Sequence, residues 1–539
     1  MKHLLNFKLT PLKLILISAL WMMLWDNYSF FSKVIAIYPP ADGQIWFLIS
    51  LAILAFVALC LLMLVFSLIL PTRVVVGFCL ISAAASGYFA DHFGVIIDSL
   101  MLETIFETDL KETTDLLSLA YLVRLFGLGV IPAIVIFCIP MQKLSFFKAT
   151  LQRIVVIGLC TLIAAAIILA SSDRFASFFR EHKPIRYFSI PVYPVYSLIR
   201  YTADQFSSSV NTQYVSRGYK SSINEQDESH ELTIVVVGET ARADHFSLNG
   251  YAKPTNPLLS QEQGVISFTN VSSCGTSTAV SVPCMFSIDG KDKFDLKSAP
   301  RTANVLDVIS QAGVDVLWRD NNSDSKGVAS RVAFEDFRTS ATNTICDHGE
   351  CRDVGMLVGL QEYIDQHHND ILIVLHQMGS HGPAYFRRYP PEFEVFTPAC
   401  HSIELGDCSQ AEIINAYDNS IRYTDYFLSQ VIELLKQNSP RFEVGLIYAS
   451  DHGESLGENG MYLHGLPYMI APKTQTHIPL IVWGDKHSDI ELNQTRLLKD
   501  KIFSHDALAT VLTQIFETQT NAKLPQESFI QLKAEEDEH

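Results

Sequence analysis

"LTIVVVGETARADH", Leu232–His245, is the stretch on which the fold of the C-terminal part turns. Six residues rich in β-branched side chains end at a glycine, and a carboxylate follows at once. A run so short and so continuously apolar reads as a strand covered on both faces, the habit of parallel sheets. Working outward, VDVLW (314–318), ILIVL (371–375), FEVGLIYA (442–449) and HIPLIVW (477–483) share its character. Helices are predicted over 303–312, 355–366 and 410–437. Buried strands alternating with helices give a mostly parallel α/β sheet.

Four of these strands run into polar segments: GETARADH, RDNNSDSK, HQMGSHGPAY and SDHGESLGENGMYLHG. In an open parallel sheet the carboxyl ends of the strands form one edge, and ligands bind there. Glu239, Lys326, His376, His381, Asp451, His452 and His464 would therefore converge. Carboxylate and imidazole without cysteine suit Zn²⁺, with Mn²⁺ as the other candidate. Glu239 and the Asp451–His452 pair are the best candidate ligands, each beside a glycine, Gly238 or Gly453, that lets the chain turn tightly. Plainer roles remain open at this point. Glu239 would also serve as a first-turn carboxylate of a helix, His376 as a strand-end support, and Lys326 as a solvated lysine.

The stretch VSSCGTSTAVSVPCMF, Val271–Phe286, sets Cys274 and Cys284 around the hydroxyls of Thr276, Ser277, Thr278 and Ser281. A hydroxyl is a weak nucleophile until a base or a metal activates it. The segment reads as a turn entering a helix, where the helix N-terminus favours an approaching phosphate. The same hydroxyls would also cap that helix, and spacing does not choose among them.

The N-terminal part is of another kind. Apolar runs over 12–36, 44–70, 73–94, 118–140 and 153–171 are near or above the ~20 residues that span a bilayer as helix, and no comparable run follows Ser172. Lys2, Lys8, Lys13, Arg73, Lys143, Lys148 and Arg153 bias one side of these spans, which the positive-inside rule makes cytoplasmic. Five spans then leave the large C-terminal part outside. Lys33 and Arg124, near outer ends, break the bias. Between the third and fourth runs, Ile97, Met101, Ile105 and Phe106 recur at helical spacing, predicting an interfacial helix near 95–117. The expected organisation is a membrane domain over 1–171, a membrane-surface bridge and linker over 172–230, a catalytic α/β domain over 231–530 and an acidic tail over 531–539.

Cys60, Cys79, Cys138 and Cys160 fall in apolar runs. The other six cysteines are close neighbours in sequence, and the simplest pairing is Cys274–Cys284, Cys346–Cys351 and Cys400–Cys408, which needs an oxidising compartment. The net charge of −17 argues against a nucleic-acid partner.

The stretches VVVGETARADHFSLNGY, SSCGTSTAVSVPCMFS, WRDNNSDSKGV, CRDVGMLVGL, LHQMGSHGPAYF, NAYDNS and YASDHGESLGENGMYLHG closely resemble the lipid A phosphoethanolamine transferases. They are most like the mobile colistin-resistance members and their Moraxella-type chromosomal relatives. The resemblance covers the whole chain. It implies an alkaline-phosphatase/sulfatase-like α/β domain in the periplasm, anchored in the bacterial inner membrane. It makes Thr278 the nucleophile and Glu239, Thr278, Asp451 and His452 the zinc ligands, with one zinc held tightly and a further zinc left open. It places Ser323, Lys326, His381 and His464 near the substrate or a second metal, with His376 a further family histidine. By position, Thr104, Thr108 and Glu112 fall on the family's headgroup site, with Thr104 standing where the family has Asn.

The implied reaction is a two-step transfer. Thr278 takes phosphoethanolamine from phosphatidylethanolamine, and a lipid A phosphate then takes it from Thr278, with the chain acting as a monomer. His381 or His464 would move a proton or hold the second zinc. Phosphoglycerol transfer, or transfer to another envelope acceptor, is the competing enzyme reading. A sulfatase would show C-x-P-x-R, which is absent, and a membrane-anchored lipid sensor would not need an intact ligand set.

Overall fold

The computed structural model describes residues 8–533, except 43, 108–115, 143, 173, 176–177, 179–181, 209–213, 218, 224–228, 348 and 440. Lys2, Lys143, Thr108, Glu112 and most of the acidic tail named above lie outside the described residues. The chain forms two compact units, residues 1–102 with 117–204, and residues 103–116 with 205–539. The bridge expected over 172–230 is thus divided between them.

In the first unit, α3 (Ile45–Phe66), α4 (Thr72–His92), α6 (Leu119–Cys138) and α7 (Phe146–Ala170) are each long and apolar enough to cross a membrane. The first apolar run, expected as one span, is a helix pair, α1 (Pro11–Trp25) and α2 (Tyr28–Ile37), bent by 60°; together the two are long and apolar enough for one broken span. The break has an identifiable cause at Asp26–Asn27. Asn27 donates through Nδ2 to Met22 O (3.0 Å) and Ile190 O (2.7 Å), and accepts from Ile190 N (2.9 Å). A side chain inserted among the backbone groups in this way ends one helix and starts another. The two cations that broke the charge bias have internal partners. Arg124 pairs with Asp91 at 2.7 Å, and the Lys33 ammonium lies over the Phe188 ring. A Cβ on Gly129 of α6 would lie 3.0 Å from Ala84 and 3.1 Å from the Ile81 backbone of α4, the close approach that small residues permit between membrane helices. Helix α5 (Ser99–Glu107) lies within the segment expected over 95–117, and α8 (Val192–Ser208) within the expected bridge.

The second unit is built on an eight-stranded sheet. Its strands are β1 (Glu231–Gly238), β2 (Ile266–Ser272), β3 (Asp315–Asp320), β4 (Ala333–Asp336), β5 (Ile371–His376), β6 (Glu443–Ser450), β7 (His477–Gly484) and β8 (Phe503–Ser504), in the order β8-β2-β7-β6-β1-β5-β3-β4. β7 runs antiparallel to both neighbours, and the other pairings are parallel. Sequence pattern alone missed β2, β4 and β8. β2 alternates polar and apolar residues, and β4 (AFED) and β8 have no apolar run.

One face of the sheet packs against a core containing Val235, Phe268, Phe286, Trp318, Val374 and Leu512. Two helices stand on this side: α10 (Val305–Ala312), capped by Asn304 and ended by left-handed Gly313, and α13 (Ala507–Ile515). The long α12 (Gln410–Asn438) contacts β1 and β6. It starts at a Ser409–Glu412 capping box, a device that stabilises a helix by about 1 kcal/mol. The helix expected over 355–366 is split into a 3-10 turn (Asp353–Leu357) and α11 (Leu360–Gln366), because Gly359 between them adopts φ +72°. All three neighbouring cysteine pairs are disulfides.

Register makes one edge of this sheet the working edge. Gly238 pairs with Ser450, Val237 with His376, and His376 with Asp320. β1, β6, β5 and β3 therefore end on one line. Antiparallel β7 begins there, so the loop leading into it lies at the same edge.

Candidate metal centre and transfer site

Glu239 is the first residue beyond β1, and Asp451 and His452 are the first two beyond β6. All three are fully buried. Asp451 Oδ1 accepts the backbone N–H groups of Thr240 (3.2 Å) and His452 (2.7 Å). Glu239 Oε2 accepts from Asn322 Nδ2 (2.8 Å) and from the Thr278 hydroxyl (3.0 Å). The other oxygens, Glu239 Oε1 and Asp451 Oδ2, accept no hydrogen bond. His452 donates from Nδ1 to Gly453 O at 2.9 Å, so its Nε2 carries the lone pair. That Nε2 stands 3.2 Å from Asp451 Oδ2 and 3.5 Å from Glu239 Oε1.

Two buried carboxylate oxygens and an imidazole lone pair thus face one another beside the Thr278 hydroxyl. Burial, then the neighbouring Asp451, pushes Glu239 well above the usual carboxylate range. Burial raises Asp451 to about 7 and holds His452 well below its ordinary value. Each shift marks a place where a cation relieves the cost of leaving such groups together unpaired. The donor set of carboxylates and imidazole fits a metal ion.

Thr278 opens α9 (Thr278–Met285), with Ser277 as N-cap. Its Oγ1 lies 3.5 Å from His452 Nε2 as well as 3.0 Å from Glu239. Two of its neighbours are engaged elsewhere: Thr276 donates to Leu466 O (2.7 Å), and Ser281 accepts from Gly275 N (2.9 Å). Thr278 is the hydroxyl of this stretch that stands against Glu239 and His452.

A small cavity opens from Thr278. Thr104, Ala279, Ser323, Lys326, His381 and His464 complete its lining. Ser323 and Lys326 come from the loop after β3. Asp320 Oδ1 holds that loop by accepting Asn322 N (2.9 Å) and Asp324 N (3.1 Å), and Asp324 and Lys326 both adopt positive φ. His381 follows β5 on a loop gripped by Asp353, which accepts Met378 N (2.9 Å) and Gly379 N (3.2 Å). Gly379 has φ +52°, and a Cβ there would lie 2.9 Å from Glu239 O, so only glycine lets this loop pack against the Glu239 backbone. Burial, then Arg388, holds His381 well below its ordinary pKa. His464 gives Nδ1 to Glu454 Oε2 (2.9 Å), and Tyr385 donates to the other oxygen of Glu454 (2.9 Å). The rings of His464 and His452 are 4.3 Å apart. Glu239, His381 and His464 form a second group able to share an ion.

His376 does not line the cavity. It ends β5 fully buried, with Nδ1 on Asp320 Oδ2 at 2.9 Å. Thr108 and Glu112 lie outside the described residues. Sequence reasoning passed over Asn322, Glu454, Asp320 and Asp353. Asn322 and Glu454 sit inside the polar segments quoted above, but an amide or carboxylate there carries no mark of which neighbour it holds.

Residues 231–515 match the sulfatase family and residues 54–206 the phosphoethanolamine transferase EptA/EptB family. The chain is 40% identical to the phosphatidylethanolamine transferase Mcr-1 of Escherichia coli, over 97% of each chain. It is 39% identical to Mcr-2 from the same organism, over 98% of each. The integral membrane lipooligosaccharide phosphoethanolamine transferase A (EptA) of Neisseria meningitidis superposes with a TM-score of 0.91 at 33% identity, over 95% of this chain and 97% of that one.

Proposed function

The chain belongs to the lipid A phosphoethanolamine transferase family, and from that premise we propose that it moves phosphoethanolamine from phosphatidylethanolamine to a lipid A phosphate by way of Thr278. It is an integral membrane protein of the inner membrane, with its catalytic domain in the periplasm. The observation that carries the mechanism is the Thr278 hydroxyl, set against Glu239 and His452 at the mouth of the cavity.

Zn²⁺ held by Glu239, Asp451 and His452, with Thr278 as fourth partner, would lower the hydroxyl pKa and offset charge developing on the phosphoryl group. Thr278 Oγ1 attacks phosphorus, the bond from phosphorus to the diacylglycerol oxygen breaks, and diacylglycerol leaves carrying a proton. Glu239 Oε2, 3.0 Å from Oγ1, accepts the hydroxyl hydrogen bond and orients the attacking lone pair. A lipid A phosphate oxygen then attacks the phosphothreonine, and Thr278 recovers its proton. Lys326 and Ser323 are donors for phosphoryl oxygens. His464, its Nδ1 hydrogen given to Glu454, offers Nε2 for taking and returning the proton.

The product carries an ammonium where lipid A had only phosphate charge. Weaker attraction for cationic peptides such as colistin follows. Mass spectrometry of lipid A from cells with and without the chain tests this reading. Added phosphoethanolamine is expected only with the chain. An unchanged lipid A profile with the protein present in the membrane would reject it.

A further inference from the structure

His505 lies just beyond the two-residue strand β8, about 40 residues past Gly465, where the last of the motifs ends. It is buried, with 3% of its surface exposed. Its backbone N–H donates to Ser272 O at 3.2 Å, which sets it beside the end of β2. Its ring makes two bonds of opposite sense. Nδ1 accepts the backbone N–H of Cys274 at 3.0 Å, and Nε2 donates to the carbonyl of Ser450 at 2.9 Å. A backbone N–H can only donate and a carbonyl can only accept. The two bonds together therefore require the neutral ring with its hydrogen on Nε2. Burial holds its pKa down to about 4, consistent with that neutral form.

The two partners are the two arms of the site. Cys274 begins the disulfide-closed turn that ends at Thr278, and Ser450 is the residue before Asp451 and His452. Besides the Thr278 contact with His452 itself, other ties on the turn run to the loop before β7. Ser273 N donates to Thr476 O, Gly465 N donates to Thr276 O, and Tyr468 donates to Ser273 O. Among the described residues, His505 is the side chain that bonds both the nucleophile turn and the end of β6.

We propose that His505 is a positioning residue for phosphoryl transfer: its neutral imidazole fixes the spacing between the turn bearing Thr278 and the strand end bearing Asp451 and His452. The proposal rests on the roles given to those residues above. It gives the imidazole no contact with substrate. Misplacing a reacting atom by about 1 Å costs on the order of a hundredfold in rate, so loosening this strut acts on turnover more than on donor binding.

The test uses the full-length protein in detergent–lipid micelles with a labelled phosphatidylethanolamine donor. His505→Phe removes both bonds, His505→Asn keeps an acceptor near the Nδ1 position, and His505→Gln keeps a donor near the Nε2 position. Zinc content, melting temperature, kcat and KM are measured for each. The expected result is zinc retained, KM within about twofold of the parent, and kcat down about tenfold to a hundredfold in His505→Phe. His505→Asn and His505→Gln should each fall between that variant and the parent. Unchanged kcat in a folded, zinc-loaded His505→Phe would overturn the proposal. So would losses in all three variants that follow melting temperature alone, with no recovery in His505→Asn or His505→Gln. Thr278→Ala, run in parallel, tests the premise separately. If it still transfers, the nucleophile assignment fails whatever the His505 variants do.

Discussion

Glu239, Asp451 and His452 sit one or two residues past strand ends and are wholly buried. Lys326, His381 and His464 reach the same cavity from longer loops and are partly open. The first set owes its position to the register of a parallel sheet, with Gly238 opposite Ser450. The second set owes its position to individual carboxylates: Asp320 under the Lys326 loop, Asp353 under the His381 loop, Glu454 behind His464. Under the proposed function, a site that holds a metal rigidly and still admits two lipids is served by this division. The proposed ligands share the rigidity of the sheet, and the proposed substrate side stands on loops, where change is tolerated.

The sharpest way to break the comparison is at Thr278, where the two sets meet. Thr278→Ala removes the attacking oxygen, and transfer should fall by at least about a thousandfold, as for loss of a covalent nucleophile elsewhere. Glu239, Asp451 and His452 remain, so zinc content measured on the purified protein should stay near the parent value. Enzyme incubated with donor and no acceptor should carry the added group on Thr278 in peptide mass spectra, and Thr278→Ala should carry none. A group found on Thr276 or Ser277 would mean that the metal-side geometry does not select the nucleophile.

A smaller effect is expected on the loop side. His464→Ala should lower kcat by about 10²- to 10⁴-fold, the usual span for a positioned proton carrier. Glu454→Gln should cost less, about 10- to 100-fold, because the ring stays and only its orienting carboxylate is lost. Equal losses in the two variants would show that His464 acts through Glu454 alone. An unchanged Glu454→Gln would show that loop side chains need no such anchor.

This division also decides what could be read from the chain. LTIVVV, ILIVL and FEVGLIYA announce buried strands, and the residue after a buried parallel strand has one edge to go to, so the convergence of Glu239, Asp451 and His452 was legible. The antiparallel course of β7 was not, since HIPLIVW has the same apolar character as its parallel neighbours and direction is a tertiary property. The bend at Asp26–Asn27 was hidden too. It depends on Asn27 meeting Ile190, 163 residues away. The contact of Thr278 with Glu239, and the engagement of Thr276 and Ser281 by Leu466 O and Gly275 N, are tertiary too; resemblance, not spacing, singled out Thr278. His505, following a two-residue strand in no motif, left no signal at all.

The smallest expected effect separates stability from catalysis within one kind of bond. Cys274–Cys284 closes the turn that carries Thr278, while Cys400–Cys408 closes a loop just before the cap of α12, where Cys400 N also donates to Glu412 O at 3.0 Å. Their sequence separations are 10 and 8. In the chain-entropy account, loops of these lengths contribute nearly equal amounts, about 2.5–3 kcal/mol each. Replacing either pair by serines should therefore lower the melting temperature by similar amounts. Only the first pair lies on the metal side of the comparison, so only its loss should lower kcat in protein that remains folded and zinc-loaded. The Cys400→Ser/Cys408→Ser protein should turn over within about twofold of the parent, the range expected when a change far from the site leaves its spacing intact. Thermal melts paired with donor-transfer kinetics on both double variants make the comparison. Equal catalytic losses would mean that the α12 cap reaches the site through Tyr417, whose hydroxyl bonds Thr240 O at 2.7 Å, and that the rigid side of the site extends further than the strand ends.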